Sequence, residues 1–157
     1  MDKVNDELTL EKKKKRAFLF LDISMTIGLL YILSMYKGKE GKEKYLLLFS
    51  MGTVSIYYFS RLSKITNLMN IFHVFLALGI VLMSLFSESK DILIFLTGIS
   101  LLITASRKIF NGCIVRVIEK KDNDLTNNGF TKKLKWDYIF PSLGLIGLYK
   151  LNKAKNE

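Results

Sequence analysis

Asp22 is a carboxylate set six residues beyond Arg16 inside an otherwise apolar run, AFLFLDISMTIGLLYILSMY. At 1.5 Å per helical residue it lies about 9 Å along the axis from its charged flank. An ionisable group at that depth in a bilayer is costly, and it serves either as half of a structural ion pair or as a station on a proton or ion path. Six side chains in three further apolar stretches stand at matching depth: Tyr57, Arg61, Asn70, His73, Thr104 and Arg107. With Asp22 they form a candidate intramembrane polar cluster. The favoured reading pairs Asp22 with Arg107 or His73 as a structural partner, and a functional polar cluster is the alternative.

Other chemistries lack the residues they need. One cysteine, Cys113, permits no intrachain disulfide, no CxxC redox pair and no cysteine-cluster metal site. One histidine, His73, leaves no HExxH and no paired imidazoles. The tract from Asp122 to Lys133 fails as a calcium loop, because Asn127 stands where the turn glycine is needed and Lys133 where the closing glutamate is needed. Neither GxxxxGK nor GxGxxG occurs. No catalytic residue, metal or cofactor is expected, and the protein is read as non-enzymatic.

Those side chains must be carried by spanning elements. Apolar stretches occupy about 17–36, 45–62, 68–86 and 92–110, and about 20 helical residues cross a ~30 Å hydrocarbon core. Four such runs in 157 residues leave too little polar surface for a soluble core. They are also too long and too continuously apolar for the alternating strands of a barrel. The expected fold is all-α: a polytopic membrane protein built as a four-transmembrane-helix bundle over 17–110, with a cytoplasmic arm at 1–16 and a cytoplasmic tail at 111–157.

Orientation follows from the Lys and Arg residues, which resist translocation in short flanking segments. Six precede the first stretch, two lie in the turn at 61–67 and eleven lie from Arg107 onward, against four in the turn at 37–44 and one at Lys90. Both termini are therefore expected on the cytoplasmic side of the cell membrane. The KKKKR run resembles the start of a signal peptide, but the apolar stretch behind it is too long for an h-region, and no small-x-small cleavage site follows. Retention as a signal anchor is expected. The net charge of +10 is explained by these flanks and by attraction to anionic lipid, so no nucleic-acid partner is expected.

Beyond Arg107 the pattern changes. Asn111 and Gly112 end or bend the fourth helix, and Cys113 to Ile118 fits a short strand or a helix. Residues 119–135 read as a polar loop with a tight turn at Asn127–Gly129. The segment WDYIFPSLGLIGLY, residues 136–149, carries Asp137 and Pro141 between two lysine clusters. It reads as interfacial or re-entrant, with a fifth short span and a soluble amphipathic turn as alternatives.

Small and hydroxyl residues recur at helical spacing inside the stretches: Ser50, Thr53, Tyr57 and Ser60; Asn70, His73, Ala77 and Ser84; Thr97, Ser100, Thr104 and Arg107. These three faces are expected to meet one another, with Ser24 and Gly28 adding a small-xxx-small pair. In helix count and size alone the chain resembles four-span families such as the small multidrug transporters. Those carry a membrane-embedded glutamate in the first helix, where this chain has Asp22 near one end. Three function classes follow: a non-enzymatic accessory, immunity or defence-type component acting by protein or membrane interaction, an oligomeric transporter or channel built around Asp22, and a lipid-modifying enzyme. The first is preferred. Its expected partners are the bilayer, anionic lipid at the cytoplasmic face, and a second copy or another membrane protein. Lys-, Asn- and Ile-rich composition points to a bacterium with an AT-rich genome.

Overall fold

The structure is a computed structural model that describes the backbone of residues 2–63, 66–110, 113, 114, 118 and 136–156. The described residues form five helices and no strand: α1 (Asp2–Tyr36), α2 (Gly41–Ser63), α3 (Thr66–Phe86), α4 (Lys90–Ile109) and α5 (Trp136–Asn156). The loop at 119–135, its turn at Asn127–Gly129, the calcium-like tract, residues 115–117 of the strand-or-helix segment and the Trp136 side chain lie outside the described residues.

Three stretches are long and apolar enough to cross a membrane: Glu11–Tyr36 within α1, Leu68–Phe86 within α3, and α4. The expected count of four is not reached on that criterion. α2 holds Arg61, three tyrosines and five hydroxyl residues among its apolar ones, and α5 holds Asp137 and three lysines. The arm and the first apolar stretch form one continuous helix of 35 residues, α1. Its first 26 residues contain neither Gly nor Pro, and Glu, Leu and Lys propagate a helix readily, so nothing breaks it at Arg16.

Short connections force neighbouring helices antiparallel. The turn after α1 closes on Gly41, whose φ of +51° lies in the left-handed region that L side chains avoid. The turn after α3 is the three residues Ser87–Ser89. α2 and α3 pack along their length, and the hydroxyl face read from the sequence is the buried one: Leu47, Ser50, Thr53, Val54, Tyr57 and Ser60. Two apolar clusters fill the interior. One, at the end holding Arg61, joins Leu21, Met25, Tyr57, Met69, Phe72 and Phe110; the other, at the end holding Glu43, joins Ile32, Leu47, Ile80, Met83, Ile92 and Leu96. Outward faces remain apolar, with Ile27 and Leu30 each 62% exposed and Leu101 60% exposed. An apolar surface of this extent needs lipid against it, and with three helices of spanning length it marks a membrane protein.

α5 departs most from expectation. The stretch read as ending at Tyr149, confined to one face of the membrane, belongs to a helix of 21 residues lying antiparallel along α4. A Cβ at Gly144 would stand 3.2 Å from Ser100 Cβ, and one at Gly147 only 2.7 Å from Thr97 Oγ1. Two glycines three apart thus accept two small residues three apart on α4, which lets the backbones close in. The polar face of α4 therefore meets α5, not the hydroxyl face of α2 as expected. Because Lys150 of α5 reaches the turn after α3, the start of α1 and the end of α5 lie at opposite ends of the bundle.

Candidate functional site

Asp22 lies on α1 where the end of α2 passes it. Its Oδ1 accepts a short hydrogen bond from Tyr57 Oη and a longer one from Arg61 Nε at 3.3 Å, while Arg61 Nη2 donates to Oδ2 at 3.0 Å. Tyr57 and Arg61 are four apart, so one helical face presents both donors. The guanidinium carbon lies 4.0 Å from the centroid of the Phe18 ring, one turn before Asp22, which adds a cation–π contact. Tyr57 is wholly buried, and its ring packs at 5.1 Å on Phe72 of α3. One turn further along α1, Thr26 donates to the Asp22 carbonyl at 2.8 Å, and Tyr58 Oη meets Thr26 Oγ1 at 2.6 Å. With the threonine hydrogen already used, the tyrosine supplies the proton of that second bond. The result is a polar ladder between α1 and α2 in which the carboxylate is met by a cation and a phenol.

The seven residues of the sequence cluster are not gathered into one site. Asp22, Tyr57 and Arg61 meet; the expected partners Arg107 and His73 do not touch Asp22. His73 faces Cys113, with Nε2 and Sγ 3.5 Å apart. Both line a small cavity of about 50 Å³ together with Ser106 and Arg107, room for a few waters at most. Thr104 donates to the Ser100 carbonyl of its own helix, and Asn70 is half-buried one turn before His73. Ser24, Ser50, Thr53 and Thr97 also donate to carbonyls four residues back. Hydroxyls used in this way have their donor satisfied within their own helix.

A second polar assembly, at the opposite end, was not anticipated. Glu43 on the first turn of α2 accepts from Ser87 Oγ at 2.9 Å and from the backbone N–H groups of Glu88 and Ser89 at 2.8 and 3.1 Å. It takes the capping role at α4 that the Ser89 hydroxyl leaves unfilled, an anion against the positive end of a helix. Lys150 of α5 does the converse, donating to the carbonyls of Ser84, Leu85 and Ser87 at 2.7, 3.0 and 3.2 Å, so a cation sits on the negative end of α3. Ion pairs Lys39–Asp91 and Lys42–Glu88 flank the same turn. Lys42 holds the Glu88 carboxyl below the usual carboxylate range, so this contact is lost as pH falls through the lowered value. Full exposure makes its weight small. In the sequence, Glu43 and Lys150 are ordinary flanking charges; only their reach across helices distinguishes them.

The Lys150 cap makes a direct prediction. Lys150→Met keeps the stem and removes three donors, so it is expected to lower stability in detergent by about 1–3 kcal/mol, while Lys150→Arg retains most of it. Thermal unfolding of the two variants checks this, and a Met variant as stable as the parent would remove the cap from the account of how α5 is held.

No protein-family model, no curated protein and no solved structure matches the chain. The functional reading therefore rests on the geometry.

Proposed function

We propose that the chain is a non-enzymatic integral membrane protein that acts by contact within the bilayer, as an accessory, immunity or defence-type component, without moving ions or turning over a substrate. One observation carries this reading: the carboxylate set deep within the first spanning stretch, Asp22, is already held by Arg61 and Tyr57. A transport site needs a group that can gain and lose its charge partner, and a carboxylate locked to an arginine on the neighbouring helix is a poor one. The locally bonded hydroxyls support the same reading.

In this reading all five helices cross the membrane, one more than the four read from the sequence. The Arg61 end is cytoplasmic, because Lys12 to Arg16, Arg61, Arg107 and Lys108 gather there, and positive residues stay inside. The Glu43 end and the end of α5 then lie outside. Single cysteines replacing Glu40, Ser89 and Asn156 in a Cys113→Ser background are expected to react in intact cells with a membrane-impermeant maleimide. Protection of the Asn156 site with labelling at Ser89 would return α5 to the cytoplasmic interface.

The functional half is tested by reconstitution. Proteoliposomes carrying an internal pH dye are expected to show proton flux no greater than protein-free vesicles. Flux above that background, abolished by Asp22→Asn without loss of thermal stability, would promote the transporter reading.

A further inference from the structure

The cavity of about 50 Å³ beside Arg107 is lined by three soft donors from distant parts of the chain. Met25 comes from α1, His73 from α3, and Cys113 from the segment just beyond α4. Met25 is buried, and the other two are half-buried. Among the described residues no carboxylate lines the cavity, and most of the remaining wall is aliphatic or aromatic. His73 Nε2 and Cys113 Sγ stand 3.5 Å apart. Metal bonds of about 2.0 Å to nitrogen and about 2.3 Å to sulfur, meeting at a tetrahedral angle of about 109°, put their donor atoms about 3.5 Å from one another. A thiol–imidazole hydrogen bond has the same spacing, so the third donor decides between the two. A thioether is a weak partner in a hydrogen bond but a good ligand for a soft ion, and the unbranched methionine side chain turns readily toward one.

Softness and charge choose the ion. Thiolate and thioether sulfur with one imidazole suit copper(I), whereas calcium, magnesium and manganese take oxygen ligands. Arg107 lines the same cavity, and added positive charge beside its guanidinium is costly. A monovalent ion that displaces the thiol proton leaves the charge of the site unchanged, while a divalent ion adds one unit. Closed zinc sites also take four protein ligands, one more than this cavity offers. A single cysteine and a single histidine exclude cysteine clusters and paired imidazoles, but not a mixed set assembled across helices.

We propose that Cys113, His73 and Met25 hold one copper(I) ion, with the thiolate, imidazole Nε2 and the thioether as its ligands. On binding, the thiol S–H bond breaks and a sulfur–copper bond forms; the proton leaves to solvent, and neither metal nor sulfur changes oxidation state. The site does not depend on how the chain acts within the bilayer.

The test uses the full chain, reduced and anaerobic in detergent, given copper(I) as its complex with bicinchoninate, a chelator whose colour fades as copper leaves it. One equivalent is expected to transfer to the protein. Cys113→Ser is expected to abolish transfer, and Met25→Leu and His73→Gln each to weaken it about tenfold or more, the loss that even an outer neighbour of a metal ligand causes. Met25→Leu exchanges one core side chain for another of similar volume, so its unfolding without copper is expected to stay close to the parent's. X-ray absorption at the copper edge of the loaded parent is expected to give one nitrogen and two sulfur neighbours. Copper retained by Cys113→Ser would overturn the proposal, and so would transfer to Met25→Leu and His73→Gln as tight as to the parent, which marks a thiol acting alone. No transfer to the parent would leave the 3.5 Å contact as a thiol–imidazole hydrogen bond and overturn the proposal too. Zinc held as tightly as copper(I) would overturn the choice of ion and the proposal with it. If His73→Gln does not fold, the absorption spectrum decides, and a shell without nitrogen overturns the site.

Discussion

Leucine in place of Gly147 is expected to separate α5 from α4 and lower stability by about 3 kcal/mol. A Cβ at this position would already stand 2.7 Å from Thr97 Oγ1, 3.5 Å from Leu96 Cδ2 and 3.6 Å from the Leu93 carbonyl oxygen. The last of these is backbone and cannot yield. Overpacking of this kind costs about 1–3 kcal/mol, and pushing α5 outward also draws Lys150 off the three carbonyls it caps, which adds a comparable amount. The higher helix propensity of leucine offsets less than about 1 kcal/mol of this. Gly98→Leu on α4 is the control: the same exchange, facing open space, is expected to leave the melting temperature near that of the parent. The milder Gly147→Ala should be rescued by Thr97→Ala, because the atom nearest the new Cβ is then gone. Thermal unfolding of the four variants in one detergent decides the matter; equal effects at 98 and 147 would mean that the two helices do not approach as closely as described.

What the sequence disclosed, and what it did not, divides along a physical line. Apolar length reports the solvent, so the helical membrane class and the positions of α1, α3 and α4 were legible from hydrophobicity alone. Helical period reports which side of an element is buried, and the face of Ser50, Thr53, Tyr57 and Ser60 was read correctly on that basis. Which faces meet is a different quantity. α4 presents Thr97 and Ser100 to Gly147 and Gly144, and nothing in the α4 stretch itself says that its partner lies some 45 residues downstream rather than on α2.

Charge disclosed the flanks of an element but not what those flanks touch, for a related reason. Lysines flanking 136–149 were counted as anchors of a short interfacial segment, a rule suited to side chains that end in headgroups or water. Lys150 ends on protein carbonyls instead, so α5 carries it to the turn after α3. Glu43 lay hidden likewise among four lysines of the first turn. In the candidate cluster, depth was legible and pairing was not. Tyr57 and Arg61 were placed level with Asp22 by residue counting, yet choosing Arg61 over Arg107 or His73 requires the rotation of α1 about its own axis, which a run of apolar residues on all sides leaves undetermined.

Asp22 and Arg61 are expected to behave as one energetic unit. Asp22→Asn keeps an acceptor for Tyr57 but leaves the guanidinium without its counter-charge over the Phe18 ring. Arg61→Gln leaves the carboxylate with one neutral donor. Each single change is expected to lower stability by about 1–3 kcal/mol, and the double variant by clearly less than the sum, with a coupling of about 1 kcal/mol or more. The two side chains are about one-third exposed, 36% for Asp22 and 34% for Arg61, which holds the coupling toward the low end of the range for contacting pairs. Tyr57→Phe should weaken the pair without abolishing it, because the arginine contact survives. A cycle on Asp22 and Arg107 is expected to be additive within about 0.5 kcal/mol, since those two side chains do not meet. Coupling to Arg107 with additivity at Arg61 would reverse the pairing described here. Additivity at both, together with proton flux lost in Asp22→Asn proteoliposomes, would take the carboxylate out of the scaffold and make it the working group of a transporter.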